Sequence, residues 1–191
     1  MSSASRHDLQ AGDRFSIQSR RGSRYQVTFL AFGPEDAGWY VRLSDGRLAR
    51  LDPARLDWPS REPLGVDPES LLAPGDVVQI RAIGETVRGR LLERDSATLT
   101  VATKEGVWRT IPRHEVSKIH ILFRASDLKR GDAVILRSRS GNEYQGSFQS
   151  IDAAGLIDLQ LPSGDRLSVR KSRLDQDGIF VLIPVAPSAF P

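Results

Sequence analysis

The stretch Leu72-Ala73-Pro74-Gly75-Asp76-Val77-Val78-Gln79-Ile80-Arg81-Ala82-Ile83-Gly84 decides how this chain is read. Val78, Ile80 and Ala82 alternate with Gln79 and Arg81, the period of a strand with one buried face. Glycine-bearing turns bracket the run, so it is a short strand rather than a piece of helix. The frame then recurs. Gly12-Asp13, Gly75-Asp76 and Gly131-Asp132 each follow a leucine three residues earlier, at Leu9, Leu72 and Leu128. A second glycine comes nine or ten residues on (Gly22, Gly84, Gly141), and a strand-forming residue three further (Tyr25, Val87, Tyr144).

The rest of the frame keeps step. Asp95 and Asp152 stand eleven residues after the second glycine, with Gly33 at that place in the first copy. A third glycine lies in Ser44-Asp45-Gly46, Lys104-Glu105-Gly106 and Ser163-Gly164-Asp165. Apolar residues follow it at plus five (Leu51, Ile111, Val169) and plus ten (Leu56, Val116, Leu174). Between them Asp52-Pro53-Ala54-Arg55, Pro112-Arg113-His114-Glu115 and Arg170-Lys171-Ser172-Arg173 read as one tight turn of 3-10 type before a closing strand. Alternation in Thr98 to Ala102 and in Ile119 to Phe123 fits the same scheme. Gly89 and Gly146 sit inside strands as bend points, where the first copy has Val27.

Turn signals every 8 to 12 residues between short alternating runs argue for small all-β units. The expectation is three tandem five-stranded barrels with short helical turns: 1–61, 71–124 and 125–184, with 62–70 as an acidic linker and 185–191 as a tail. Glu62, Asp67 and Glu69 with Pro63, Gly65 and Pro68 suggest the linker. Asp67-Pro68-Glu69 and Ser126-Asp127-Leu128 carry helix-start residues.

Gly75 to Ile80, then Gly84, Gly89, Asp95, Gly106 and Ile111, together with Gly141, Tyr144, Gly146, Asp152 and Leu161, resemble the Src-homology-3-like small barrels, the group of Sm-like, KOW and Tudor modules. The resemblance spans nearly the whole chain and implies a binding scaffold. It rests on scaffold residues, and fold does not fix function. RNA-binding Sm-like proteins carry an asparagine soon after the aspartate and an Arg-Gly pair; here Asp95-Ser96-Ala97-Thr98 and Asp152-Ala153-Ala154-Gly155 stand instead. A Tudor-type aromatic cage has candidates only at Trp39, Tyr40 and Trp58.

The chain has 191 residues, 39% hydrophobic and 27% charged, with no cysteine, so disulfides and thiolate metal sites are excluded. No apolar run nears the roughly 18 residues of a membrane span, and Met1 to Asp8 lack a secretory core, so a cytoplasmic protein is expected. His7, His114 and His120 are scattered, and no metal, cofactor or catalytic constellation stands out; the expectation is a non-enzymatic binder. The net charge of +3 is unevenly spread. Residues 1–61 hold ten arginines against seven acids, 71–124 nine bases against six, and 125–191 eight of each.

Guanidinium and hydroxyl donors gather at two hairpin tips, Ser19 to Arg24 and Arg137 to Asn142, a combination suited to phosphate oxygens. Arg20, Arg21, Arg24, Arg137 and Arg139 are the candidates there. In the second copy Arg88, Arg90 and Arg94 share a strand face by period two, and Arg109, Arg113 and Lys118 lie near the closing turn. Nucleic acid, with RNA or a ribonucleoprotein foremost, is the favoured partner. A protein-interaction adaptor taking its partner through Trp39, Tyr40 or Trp58, or a structural subunit of a larger assembly, is the alternative. Solvation of exposed loops explains charge clusters equally well.

Overall fold

The computed structural model describes residues 8–34, 38–124 and 127–186. His7, Ser126 and the tail beyond Ala186, which entered the sequence reading, lie outside them. Every described strand is antiparallel to its neighbours, and the described helical segments are 3-10 turns of three or four residues. No helix of the described residues is long and apolar enough to cross a membrane.

The strands come in three sets of five. The first holds β1 (Asp13–Ser19), β2 (Arg24–Phe32), β3 (Trp39–Leu43), β4 (Leu48–Leu51) and β5 (Leu56–Val66). The second holds β6 (Val77–Ala82), β7 (Glu85–Arg94), β8 (Thr98–Thr103), β9 (Trp108–Pro112) and β10 (Lys118–Arg124). The third holds β11 (Ala133–Ser138), β12 (Glu143–Ile151), β13 (Leu156–Gln160), β14 (Arg166–Arg170) and β15 (Leu174–Val185). Within each set the order is fourth, third, second, first, fifth.

The repeat extends to hydrogen-bond register. Phe15 faces Val27, Val78 faces Gly89 and Val134 faces Gly146. The second strand of each set then carries one extra residue against the third: Leu30, Leu92 and Gln149. The Gly-Asp pair seats against that bulge. The amides of Gly12, Gly75 and Gly131 donate to the carbonyls of Phe29, Leu91 and Phe148 at 2.8–2.9 Å. The aspartate closes its own turn, accepting from the amides of Gln10, Ala73 and Lys129. The pair is thus a turn lock, and the glycine φ of +88 to +97° explains its residue type.

Neither sheet closes into a barrel, against the sequence expectation. The 3-10 turns Pro53–Arg55, Arg113–Glu115 and Lys171–Arg173 intervene between fourth and fifth strands. The fifth strand therefore rejoins the sheet beside the first, and β4, β9 and β14 remain edges. Side chains from the inner faces supply the core. In the first set Leu9, Phe15, Ile17, Val27, Phe29, Trp39, Val41 and Leu56 form one buried cluster, each large side chain contributing about 1.5–3 kcal/mol of transfer free energy.

The segment read as a linker is structured. Glu62 to Val66 complete β5, with Ser16 opposite Glu62, Phe15 opposite Pro63 and Asp13 opposite Val66. Proline is tolerated because β5 is an edge strand whose outer amides need no partner. Asp67 then caps the 3-10 turn Pro68–Leu71, accepting from the Ser70 amide and hydroxyl.

The chain divides into two compact units, one holding the first set and the second up to Ile121, the other holding the third set up to Ile183. Inside the first unit Arg42 of β3 reaches Asp76, the aspartate of the second Gly-Asp pair. Its Nη1 and Nη2 lie 3.0 and 2.6 Å from the two carboxylate oxygens, and both side chains are 7% exposed. Arg42 also donates to the carbonyls of Ser70 and Gly46 at 2.7 and 3.0 Å.

Candidate nucleic-acid interface

The tip of the third set is built by a four-residue turn. Ser138 N donates to Asn142 O, Gly141 N to Ser138 O, and the Ser138 hydroxyl accepts from the Asn142 amide at 2.9 Å. This geometry holds Arg139 beside the closing 3-10 turn, where its amide donates to the Arg173 carbonyl at 2.9 Å and its Nε to the Leu174 carbonyl at 3.3 Å. Between tip and turn opens a cleft of about 700 Å³. Arg139, Arg170 and Arg173 line it, with Ser138, Ser140, Ser172 and Asn142 as neutral donors and Tyr144, Leu156 and Leu167 as an apolar wall. No carboxylate lines the cleft, and the three arginines join no ion pair among the described residues. Three guanidinium groups beside serine hydroxyls, with no carboxylate among the lining residues, suit an anion.

Arg137, the neighbouring candidate, does not line it. Its Nε is 3.1 Å from Glu143 Oε1 and its guanidinium stands 5.4 Å from the centroid of Phe180. In the first set the tip has the same hydrogen bonds: Ser19 N to Ser23 O, Gly22 N to Ser19 O, Ser23 N to Ser19 Oγ, and Arg20 N to Arg55 O. Arg20 and Arg21 are exposed there, whereas Arg24 is paired with Glu62.

In the second set the candidates separate. Arg88 and Arg90 share a face of β7, but the bulge at Leu92 turns the parity, so Arg94 lies opposite the buried Leu99 and belongs to the other face. Arg94 pairs with Glu69, and Arg109 lies 3.1 Å from Glu85. Arg113 donates to the Asp95 carbonyl at 3.0 Å, Arg90 to that of Gly75 at 3.1 Å, and Arg88 to the side-chain oxygen of Gln79. Lys118 is exposed on β10. The eleven expected cations are therefore divided among three places, and several are engaged in scaffold bonds.

The repeated aspartates are also scaffold. Asp95 accepts from the amides of Ala97 and Thr98, each at 2.7 Å, and from the Thr98 hydroxyl, which hold its carboxyl below the usual range. Hydrogen bonds from Ser168 and Ser150 lower Asp158 in the same way. His120 moves down too, chiefly through burial and then through the charges of Lys118 and Arg81.

Two of the three aromatic candidates are buried, and the third, Trp58, is partly buried. Trp39 is 4% and Tyr40 2% exposed. Trp39 meets Phe15, Phe29 and Trp58 edge-on at 5.3–6.4 Å, and the Tyr40 hydroxyl accepts from Arg50 at 2.6 Å. Trp39 belongs to the buried cluster of the first set and Trp58 packs partly buried against it, whereas Tyr40 is buried outside that cluster. The sequence reading did not select Arg170, Arg173 and Tyr144. The signal was present in Arg170-Lys171-Ser172-Arg173, a turn recognised for its backbone while its charge went unused. No protein-family model matches this sequence, and no curated protein matches it, so the functional reading rests on the geometry.

Proposed function

We propose that this chain is a non-enzymatic nucleic-acid-binding protein, with RNA the expected ligand, that holds the sugar–phosphate backbone on arginines presented by small Src-homology-3-like units of the Sm, KOW and Tudor type. The repeated strand order, with a 3-10 turn before each fifth strand, supports the structural half of this reading. The carrying observation for the functional half is the cleft of the third set, where Arg139, Arg170 and Arg173 converge with serine hydroxyls and no carboxylate. Phosphate oxygens match guanidinium forks and hydroxyl donors, whereas a neutral peptide segment leaves three charges without a counterpart. Of the aromatics named for a protein partner, Trp39 and Tyr40 are buried and Trp58 is partly exposed, which favours the arginine cleft over that surface.

Binding of a fluorescent single-stranded RNA, followed by anisotropy across a salt series, tests the reading. Replacing Arg139, Arg170 and Arg173 by serine removes three exposed phosphate donors, so the slope of log affinity against log salt flattens by about 2. An unchanged slope and affinity in the triple variant rejects the cleft as the site.

A further inference from the structure

One backbone contact recurs in all three sets and puts different side chains in the same place. An amide at the tip of the first hairpin donates to the last carbonyl of the 3-10 turn: Arg20 to Arg55 at 2.9 Å, Ile83 to Glu115 at 3.1 Å and Arg139 to Arg173 at 2.9 Å. The residue at the start of that turn is Asp52, Pro112 or Arg170. In the first set the Asp52 carboxylate lies 3.3 Å from the Arg55 guanidinium and offsets its charge. In the second set the place is held by Ile83, 75% exposed, and Glu115. Among the described residues the third set alone puts three guanidinium groups there, and none of them joins an ion pair.

The apolar wall of the cleft differs between sets in the same way. Tyr25, Val87 and Tyr144 stand at matching positions, opposite Ile17, Ile80 and Leu136. Tyr25 packs against the first buried cluster, and Val87 is buried. Tyr144 is half-buried and lines the cleft with Leu156 and Leu167. Its ring joins no aromatic pair, and its hydroxyl no hydrogen bond, among the described residues. The cleft measures about 700 Å³, within the range of pockets that enclose a small ligand. A phosphate group alone leaves most of that space empty, and an aromatic ring and two leucines bound what is left.

We infer that the cleft takes one unpaired nucleotide of an RNA strand whole, its base against Tyr144, Leu156 and Leu167 and its flanking phosphates on Arg139, Arg170 and Arg173. An aromatic and aliphatic wall suits the flat face of a base, which a pure phosphate site does not need. Cations carried by a hairpin tip, a strand end and a turn suit successive phosphates of one backbone rather than a single phosphoryl group. A duplex keeps its bases stacked inside, so this nucleotide must be unpaired. The inference rests on the nucleic-acid reading and adds the base seat, the strandedness and the confinement of both to the third set.

The test uses the full chain and a short RNA, offered as a single strand, annealed to its complement, or synthesised without bases on the same ribose–phosphate backbone. Tyr144→Leu removes the ring and keeps an apolar side chain, and circular dichroism and the unfolding midpoint check its fold. Single-strand affinity falls about five- to one-hundred-fold in Tyr144→Leu, the loss of one stacked base. Tyr144→Phe retains that affinity, and duplex affinity is the same in all three proteins. On the native chain the baseless strand shows the same loss, a measurement that needs no substitution. Equal affinity for strands with and without bases, while the Arg139, Arg170 and Arg173 variant binds both more weakly, overturns the base seat and leaves the phosphate cleft standing. A free mononucleotide or a phosphotyrosine peptide that binds as tightly as the strand overturns the assignment to RNA. Absence of binding by every RNA overturns both readings.

Discussion

Replacing Arg42 by alanine removes the inner clasp of the first compact unit. Arg42 and Asp76 are each 7% exposed, and the pair is held by two bonds of 3.0 and 2.6 Å, with two further donations to the carbonyls of Ser70 and Gly46. Without the guanidinium, Asp76 keeps the Ala73 amide as a partner but remains a buried carboxylate with no counter-charge. Breaking a buried pair by deleting one member costs about 3–5 kcal/mol. The carbonyls left without a donor belong to the same loss and are not added to it. Urea unfolding followed by tryptophan emission reads the change: Trp39 and Trp58 both lie in the first set. Arg42→Ala should lower the unfolding midpoint and stability by that amount. In the Arg42→Ala background, Asp76→Asn should recover part of it, since the amide oxygen still accepts from Ala73 without a charge to desolvate. A loss below about 1 kcal/mol, the range of solvated surface pairs, would refute the claim that this pair is a dry structural joint.

Other perturbations separate scaffold from surface. A Cβ at Gly89 would stand 2.1 Å from the Ala102 carbonyl oxygen, so Gly89→Ala should prevent normal folding of the second set, seen as lost amide dispersion in NMR spectra. Gly46 has open space around it but a φ of +84°, and Gly46→Ala should cost only about 1 kcal/mol, measured by thermal unfolding. His120 is held below its ordinary value of 6.5 by burial and then by Lys118 and Arg81. The unfolded chain therefore takes up a proton first as pH falls through 6.5, and the native state loses stability below that point. A His120→Gln variant should show a flatter stability profile over this window, and an unchanged profile would mean that other groups govern it.

Much of the scaffold is legible in the residues because its causes are local. Gly12-Asp13, Gly75-Asp76 and Gly131-Asp132 specify turns through backbone conformation and a carboxylate three residues from its donor. Alternation in Val78, Ile80 and Ala82 marks an inner face, and all three are buried. The places where reading along the chain misleads are those where a distant strand intervenes. Pro63 suggests a linker because its tolerance on an edge strand depends on where β5 lies in the sheet. Arg94 counts onto the face of Arg88 and Arg90 until the bulge at Leu92 inverts the parity. Trp39 looks like part of a partner surface until Phe15, Phe29 and Trp58 from three other strands pack against it.

The candidate sites divide in the same way. Guanidinium-rich tips are visible as composition, but a charge is available only when its counter-ion is elsewhere, and Glu62, Glu69, Glu85 and Glu143 claim Arg24, Arg94, Arg109 and Arg137 from far along the chain or across a hairpin. By itself the sequence determined three sets of short strands, their turns and the residues that line each inner face, because those depend on dihedral preference and on hydrophobic period within a few residues. Tertiary structure alone decided which sheets stay open and which arginines are taken up by ion pairs. Hydrogen-bond register and ion pairing join residues through space, and neither is written in the order of the chain.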